Sequence, residues 1–218
     1  PLLNSTSTIF DNLSPFDIST NNLRENFVTS SDLQELLSSC SFDDNNTSNR
    51  VSCWGQNSKL QPFLQKVASF INIDSSYFEN INFVKYKPGW FHNLHLDAYD
   101  FSSEKSKRCM KTRDLEGQRM LTVSGVLSNS VEFNFVDYQQ KIRLVTGSVL
   151  AYSNVLNISE TRNTNLRKSI TNLSSDCETV MFHIYVRMKN KLGKPLFDIS
   201  KTKNETSTNA VDTNAVDT

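Results

Sequence analysis

The chain has 218 residues, the size of a single ordinary domain with short flanking segments. Apolar residues make up 37% of it and include fourteen phenylalanines, enough for a core. Lysine plus arginine equals aspartate plus glutamate at 23 each, so no net charge would draw the whole chain to nucleic acid or to an anionic membrane. No run approaches the roughly 20 consecutive apolar residues of a membrane span. We therefore expect neither a nucleic-acid partner nor a membrane span.

The residues up to position 27 are rich in Ser, Thr and Asn, which predicts an extended or disordered N-terminal arm over 1–27. Thr29-Ser-Ser-Asp32 then has the pattern of a helix start. A second helix is predicted from Ser58 to Ile71, because its apolar residues follow the 3.6-residue period and Pro62 falls in its first turn.

From Asn80 the apolar period changes to two, which is typical of strands. The predicted strands cover 81–86, 90–99, 118–127, 131–138, 141–145, 148–153 and 178–188. Helices followed by seven strands indicate helices that buttress an antiparallel barrel or sandwich. The main domain is thus predicted over 28–190, followed by a polar C-terminal tail over 191–218.

The four cysteines, Cys40, Cys53, Cys109 and Cys177, lack the Cys-x-x-Cys spacing of zinc sites. Their even number fits two disulfides, Cys40–Cys53 and Cys109–Cys177, in an oxidising compartment, or four free thiols in a cytosolic protein. We expect the secretory pathway, in the ER lumen or outside the cell, with the cytoplasm as the alternative. Glycosylation is then expected among seven Asn-x-Ser/Thr sequons, at Asn4, Asn12, Asn45, Asn46, Asn157, Asn172 and Asn204.

One short motif carries chemistry. In the predicted strand that contains His95-Leu96-Asp97, the imidazole and the carboxylate are two residues apart and point to one face. Together they are the first half of a two-histidine, one-carboxylate triad for non-haem iron.

The context of this motif resembles the prolyl 4-hydroxylase family of 2-oxoglutarate/iron oxygenases, in which a Tyr-x-x-Gly turn leads into a strand that ends in His-x-Asp. Tyr86-Lys-Pro-Gly89 stands at the family's spacing before His95. Gln118-Arg-Met-Leu-Thr-Val123 and Val145-Thr-Gly-Ser-Val-Leu-Ala-Tyr152 are similar to later strands of the family. The resemblance implies an α+β fold, a double-stranded β-helix (jelly-roll) barrel buttressed by N-terminal helices. A cupin-type barrel is the alternative, favoured if the helices do not pack against the sheet.

The resemblance also implies a site: iron held by two histidines and an aspartate, with 2-oxoglutarate chelating the metal, for hydroxylation of a peptidyl proline. It assigns His95 and Asp97 to the metal and Tyr86 to the cosubstrate. It places Trp90 and Phe91 at the mouth of the substrate groove.

Two positions depart from the family pattern. Ser169 stands where the distal histidine is expected, and Thr179 stands where a basic residue should anchor the cosubstrate. A neutral hydroxyl is a poor iron ligand beside imidazole. His183 is a remote candidate for the third ligand, with a structural histidine as the alternative. His92, three residues before His95, should project from the opposite face of the strand.

Two functions remain open. In the first, the chain is a catalytically degenerate pseudoenzyme that binds no cofactor and works by binding a polypeptide or a partner subunit. In the second, it is an active peptidyl-proline hydroxylase that uses Fe(II) and 2-oxoglutarate with an unusual third metal ligand.

Overall fold

A computed structural model describes residues 22–43, 46–101, 103, 117–155 and 162–196. It contains two α-helices, α1 (Ser30–Ser38) and α2 (Gln61–Ile71). Its ten strands are β1 (Leu23–Arg24), β2 (Arg50–Trp54), β3 (Asn82–Tyr86), β4 (Phe91–His95), β5 (Arg119–Val126), β6 (Ser130–Phe135), β7 (Gln140–Val145), β8 (Val149–Ser153), β9 (Lys168–Asn172) and β10 (Thr179–Arg187). Leu23 and Arg24, which the sequence assigns to the N-terminal arm, pair with β8.

Both predicted helices are confirmed, and their ends follow from the sequence. Thr29 caps α1 through a capping box: its hydroxyl accepts from the Asp32 amide, and the Asp32 carboxylate accepts from the Thr29 amide. Helix α2 begins at Gln61 rather than Ser58, has Pro62 in its first turn and ends at Asn72 in the left-handed conformation. Its apolar face is buried as the period predicts, at Phe63, Leu64, Val67, Ala68 and Ile71.

The strands form two antiparallel sheets, as in a double-stranded β-helix. The larger sheet has the order β1-β8-β5-β10-β3-β2, and the smaller sheet has the order β4-β9-β6-β7. One core cluster joins the helices to the outer face of the larger sheet, where Phe63 of α2 meets Phe182 of β10 with ring centroids 5.4 Å apart. A second cluster joins both sheets and includes Tyr86, Phe133 and Met181. The helices thus buttress the barrel, as the prolyl 4-hydroxylase resemblance implies and the cupin alternative does not.

Three strands have no counterpart in the sequence prediction: β1, β2 and β9. Strand β2 extends the larger sheet beside β3, and β9 lies between β4 and β6 in the smaller one. Their sequences, LR, RVSCW and KSITN, are short and polar, so the apolar alternation that marks a strand is weak. Strand β9 places a basic residue, Lys168, towards the interior.

The predictions for the cysteines and for the sequons have different outcomes. The Cys40–Cys53 disulfide is confirmed, with Cα atoms 6.2 Å apart, and it ties the end of α1 to β2. Cys177 is exposed, and Cys109 lies outside the described residues. Asn172 is 2% exposed and its amide nitrogen donates to two carbonyls, so the folded chain cannot present it for glycosylation.

Asn46 is the exposed sequon among the described residues. The remaining predicted sequons, at Asn4, Asn12, Asn45, Asn157 and Asn204, lie outside them. In the part of the chain that the structure describes, no helix is long and apolar enough to cross a membrane.

We predict that Cys53→Ser destabilises the fold by about 3 kcal/mol, because the disulfide closes a loop whose cysteines are 13 positions apart. The measurement is urea unfolding of oxidised wild type and variant. Cys177→Ser is the control and should leave the midpoint unchanged. Equal midpoints for oxidised wild type and Cys53→Ser would show that the disulfide does not constrain the unfolded chain.

Candidate functional site

Strand β4 carries the two histidines of the motif and contains an irregularity. It follows a tight turn in which Gly89 adopts a φ of 64°, a conformation that favours glycine. His92 pairs with Ile170 and His95 with Lys168, so three steps along β4 face two steps along β9. One extra residue in a strand is a β-bulge, and it reverses the side-chain alternation beyond that point.

The bulge brings His92 and His95 to the same side. Their rings stack with centroids 3.8 Å apart and planes inclined by 26°. The prediction that His92 projects from the opposite face is therefore wrong, because simple alternation does not hold across a bulge. The Nδ1 atom of His95 lies 2.7 Å from the Asn93 carbonyl, which leaves Nε2 directed to Asp97.

Asp97 lies just beyond the end of β4 and is the polar centre of the barrel. Its Oδ2 atom accepts hydrogen bonds from the Thr122 and Tyr152 hydroxyls, both at 2.9 Å. The same oxygen accepts from the Lys168 ammonium at 2.7 Å. Its Oδ1 atom lies 3.7 Å from His95 Nε2, so the predicted pair His95 and Asp97 is close in space.

The side chain that reaches Asp97 from β9 is Lys168, not its neighbour Ser169. Along β9 the buried positions are Lys168, Ile170 and Asn172, whereas Ser169 and Thr171 are half-buried on the other face. Lys168 is 1% exposed, and its ammonium also lies over the Tyr152 ring, 4.9 Å from the centroid. A buried ion pair therefore occupies the centre of the site.

The electrostatics follow from this burial. Burial alone would raise the pKa of Asp97, but the charge and the hydrogen bond of the Lys168 ammonium hold it well below its ordinary value. Burial lowers the pKa of Lys168, and the Asp97 carboxylate only partly opposes this.

The imidazoles of the site are neutral. Burial and the Lys168 charge lower the pKa of His95 to about 4, and burial and the stacked His95 ring lower that of His92 to about 3. Burial likewise lowers the pKa of His183 to about 3.

His183 faces the interior but contacts Asp97 only indirectly. Its Nδ1 atom lies 2.8 Å from the Ser124 hydroxyl, which is 3.1 Å from the Tyr152 hydroxyl that donates to Asp97. Ser124 and Tyr152 were not among the predicted site residues. The available signal was their inward register on β5 and β8, where a polar side chain alternates with outward-facing apolar ones.

The residues assigned to the cosubstrate and the groove lie beside the histidines. The Tyr86 hydroxyl is 3.5 Å from His92 Nδ1, and Tyr86 pairs in register with Thr179. Thr179 is buried and donates to the Asn172 side chain at 2.8 Å. Trp90 stacks between Tyr86 and Phe91, with centroids 5.7 and 6.0 Å away, and Phe91 is 51% exposed.

A cleft of about 900 Å³ opens beside His95 and Asp97. It is lined by the segment from Leu94 to Asp100 and by three arginines, Arg119, Arg162 and Arg167. Each of them pairs with a carboxylate, of Glu79, Asp100 and Asp137 respectively. Trp90 and Phe91 do not line this cleft.

The donor set does not fit the iron ion that the resemblance implies. Such a site needs three protein ligands with open positions for the cosubstrate. Among the described residues, no group of three histidine, cysteine, aspartate or glutamate side chains is placed to hold a metal. The Lys168 ammonium, itself a cation, lies 2.7 Å from the Asp97 carboxylate that the resemblance assigns to the metal.

No family model matches the sequence. A curated putative prolyl 4-hydroxylase from Acanthamoeba polyphaga mimivirus is 28% identical over 116 residues, which are 50% of this chain and 46% of that protein. The matched region thus spans about half the length of the relative.

Among solved structures, the chain is similar to the viral collagen prolyl hydroxylase of Paramecium bursaria Chlorella virus-1. Its 2OG complex has a TM-score of 0.56 at 15% identity, covering 76% of this chain and 93% of that one. A truncated form of the same enzyme gives a TM-score of 0.53 at 15% identity, covering 76% and 87%. The chain therefore has the fold of the prolyl hydroxylases among the 2-oxoglutarate/iron oxygenases.

We predict that Lys168→Met destabilises the fold by about 3–5 kcal/mol at pH 7, because it leaves the Asp97 carboxylate buried without a cation. In wild type the pKa of Asp97 is lowered, so the pair stabilises the fold above the unfolded-state pKa of about 3.9. In the variant, burial should raise the pKa instead. The loss should therefore shrink as the pH falls from 7 towards 4, as measured by urea unfolding.

Two variants control this experiment. Lys168→Met/Asp97→Asn should recover most of the loss, because it removes both charges. Lys141→Met breaks an exposed pair with Glu132 and should cost less than about 1 kcal/mol. A Lys168→Met loss that does not change with pH, or that persists in the double variant, would contradict an electrostatic origin.

Proposed function

We propose that this chain is a non-catalytic pseudoenzyme of the prolyl hydroxylase fold that binds an extended polypeptide in the cleft beside Asp97. The observation that carries the proposal is the Lys168 ammonium, 2.7 Å from Asp97 Oδ2 and almost fully buried. This side chain supplies internally the positive charge that an iron ion would otherwise supply to the carboxylate.

The charges oppose a metal at this place. Two unit charges about 4 Å apart interact by about 4 kcal/mol at an effective dielectric constant of 20, and a divalent ion doubles that repulsion. Binding iron would therefore require Lys168 to leave the site or to lose its proton. Binding of 2-oxoglutarate is opposed for a separate reason. Thr179, at the position expected for a basic residue, is uncharged, and its hydroxyl already donates to Asn172.

The cleft itself supports polypeptide binding. Leu94 is 45% exposed on its wall, and Leu96 and Ala98 follow on the same segment. Strand β4 is at the edge of the smaller sheet, so its outer side has no neighbouring strand among the described residues. Edge strands are suited to pairing with an extended chain. Of the relatives named above, one is a putative prolyl 4-hydroxylase and the other a viral collagen prolyl hydroxylase, and collagen is a polypeptide.

The alternative, an active hydroxylase with an unusual third ligand, is favoured by one observation. The bulge in β4 stacks His92 on His95, which places a second imidazole near the carboxylate. In that case Lys168 would have to leave Asp97 before a metal could bind. Metal-binding measurements on the intact protein separate the two functions.

We predict that wild-type protein binds no Mn(II) or Fe(II) up to millimolar concentration and releases no carbon dioxide from 2-oxoglutarate, because the Lys168 ammonium pairs with Asp97 and repels a metal ion. Lys168→His should gain Mn(II) binding, since it removes the ammonium and supplies an imidazole from the same inward position. Electron paramagnetic resonance of bound Mn(II) and isothermal titration are the measurements.

The variant Ser169→His is the control for this test. Ser169 lies on the other face of β9, so histidine at that position should leave the protein unable to bind metal. Wild-type turnover that requires His95 would refute the pseudoenzyme proposal, as would tight Mn(II) binding that depends on His92.

For the binding function, we predict that fluorescein-labelled proline-rich decapeptides bind wild-type protein in the presence of EDTA. Leu94→Asp should weaken binding at least tenfold, because it places a charge on the apolar wall of the cleft. Leu192→Asp is the matched control: Leu192 is 92% exposed and lies outside the cleft. Fluorescence anisotropy gives the affinities, and equal loss in both variants would argue against the cleft.

A further inference from the structure

Two arginines line the cleft from the short segment between β8 and β9. Arg162 and Arg167 flank a 3-10 turn, Thr164–Leu166. Thr164 and Asn165 are exposed and line the same cleft. The segment thus brings two positive charges and two uncharged polar side chains to one surface.

The turn between these arginines is anchored to the barrel. Leu166 is buried in the core between the sheets. Asn163 is 1% exposed, and its amide nitrogen donates to the Tyr138 hydroxyl at 3.1 Å, while its side-chain oxygen accepts from the Asn165 backbone amide at 3.0 Å. The Asn163 backbone amide donates to the Asn154 carbonyl at 3.1 Å. A segment held in this way presents its neighbouring side chains with little further ordering, which favours binding.

The ion pairs of both arginines are partly exposed and therefore exchangeable. Arg162 Nη2 lies 3.0 Å from Asp100 Oδ2, with the side chains 35% and 32% exposed. Arg167 pairs with Asp137, and its own side chain is 48% exposed. An exposed pair changes an equilibrium constant by less than about fivefold. A carboxylate from another molecule can thus take the place of either aspartate at little cost, leaving that aspartate to water.

Arg119, the third arginine of the cleft, does not exchange in this way. Its guanidinium donates twice to the buried Glu79 carboxylate, both times at 2.8 Å, and lies 3.6 Å from the centroid of the Tyr185 ring. Breaking a buried pair of this kind shifts an equilibrium by more than about a hundredfold. An anion in the cleft would therefore be bound by Arg162 and Arg167.

We propose that the polypeptide bound in the cleft carries acidic side chains, and that Arg162 and Arg167 bind their carboxylates. This inference rests on the proposed polypeptide-binding function and adds the class of sequence that is bound. The apolar part of the cleft, which includes Leu94 and Ala98, contacts the uncharged part of the segment. The arginines then select among sequences, because complementary charges determine specificity and the association rate.

The surroundings of the arginines favour a carboxylate over a phosphate. Asp100 and Asp137 remain close by, and they would repel a doubly charged phosphate about twice as strongly as a singly charged carboxylate. Arg167 already holds Asp137 through two nitrogens, with Nε 2.9 Å from Oδ2. That is the paired contact by which a guanidinium binds a carboxylate, so Arg167 has the conformation that the ligand requires.

The test uses the full chain in EDTA and three fluorescein-labelled proline-rich decapeptides that differ at two positions, which are both Glu, both Gln or both Lys. Fluorescence anisotropy gives the affinities. The Glu peptide should bind about tenfold more tightly than the Gln peptide, and the Lys peptide should bind most weakly. Raising NaCl from about 50 mM to about 500 mM should weaken binding of the Glu peptide and leave that of the Gln peptide unchanged, because salt screens exposed charges.

Variants assign the preference to the two arginines. Arg162→Gln and Arg167→Gln should each weaken binding of the Glu peptide about three- to fivefold and leave the Gln peptide unaffected. Arg143→Gln removes an exposed arginine of β7 outside the cleft and is the matched control. Arg162→Glu/Arg167→Glu should reverse the preference, so that the Lys peptide binds more tightly than the Glu peptide. A purely structural role of the arginines would not produce this reversal.

The outcomes separate this inference from the function on which it rests. Equal affinities for the Glu and Gln peptides would overturn the inference and leave polypeptide binding in the cleft intact. Failure of all three peptides to bind would overturn both. Tighter binding of a phosphoserine peptide than of the Glu peptide would contradict the choice of a carboxylate.

Discussion

The buried pair of Asp97 and Lys168 is the interaction on which the rest of the site depends. Asp97 follows β4 and Lys168 begins β9, the neighbouring strand of the smaller sheet, while Thr122 and Tyr152 donate from the larger sheet. The carboxylate thus connects the two halves of the barrel. A carboxylate enclosed in this way must be compensated by a positive charge. In this chain a lysine provides it, so the barrel can hold its polar centre without a metal.

The bulge in β4 explains why its two histidines stack on one side of the strand. With regular alternation, His92 and His95 would lie on opposite faces, and one of them would meet solvent. The extra residue brings both rings to one side, where they stack and stay uncharged. Neutral stacked imidazoles fill space next to the ion pair without adding to its positive charge. The same residues that suggest metal ligation in the sequence therefore pack in the structure as part of the polar core.

Much of the fold could be predicted from the sequence, because apolar periods mark its helices and most strands, and because Tyr86 to Asp97 has a distinctive spacing. Only part of the site could be predicted, namely His95 and Asp97. Strands β2 and β9 are short and polar, so no apolar alternation marked them, and the inward position of Lys168 on β9 could not be predicted. Counting from the motifs selected Ser169, and a difference of one residue in a strand exchanges the inner face for the outer one. Residue-type rules also assign lysine to the surface, which fails where a buried carboxylate requires a cation.

The inward lysine shows how a barrel of this fold can compensate its buried carboxylate with a side chain. Removing an iron ligand alone would leave Asp97 buried and uncompensated, at a cost of several kcal/mol. Lysine at position 168 avoids that cost because its long chain reaches the carboxylate oxygen from the adjacent strand. It cannot also serve an anionic ligand, since Asp97 already neutralises it. Any anion that enters the barrel must therefore be held by a charge other than Lys168.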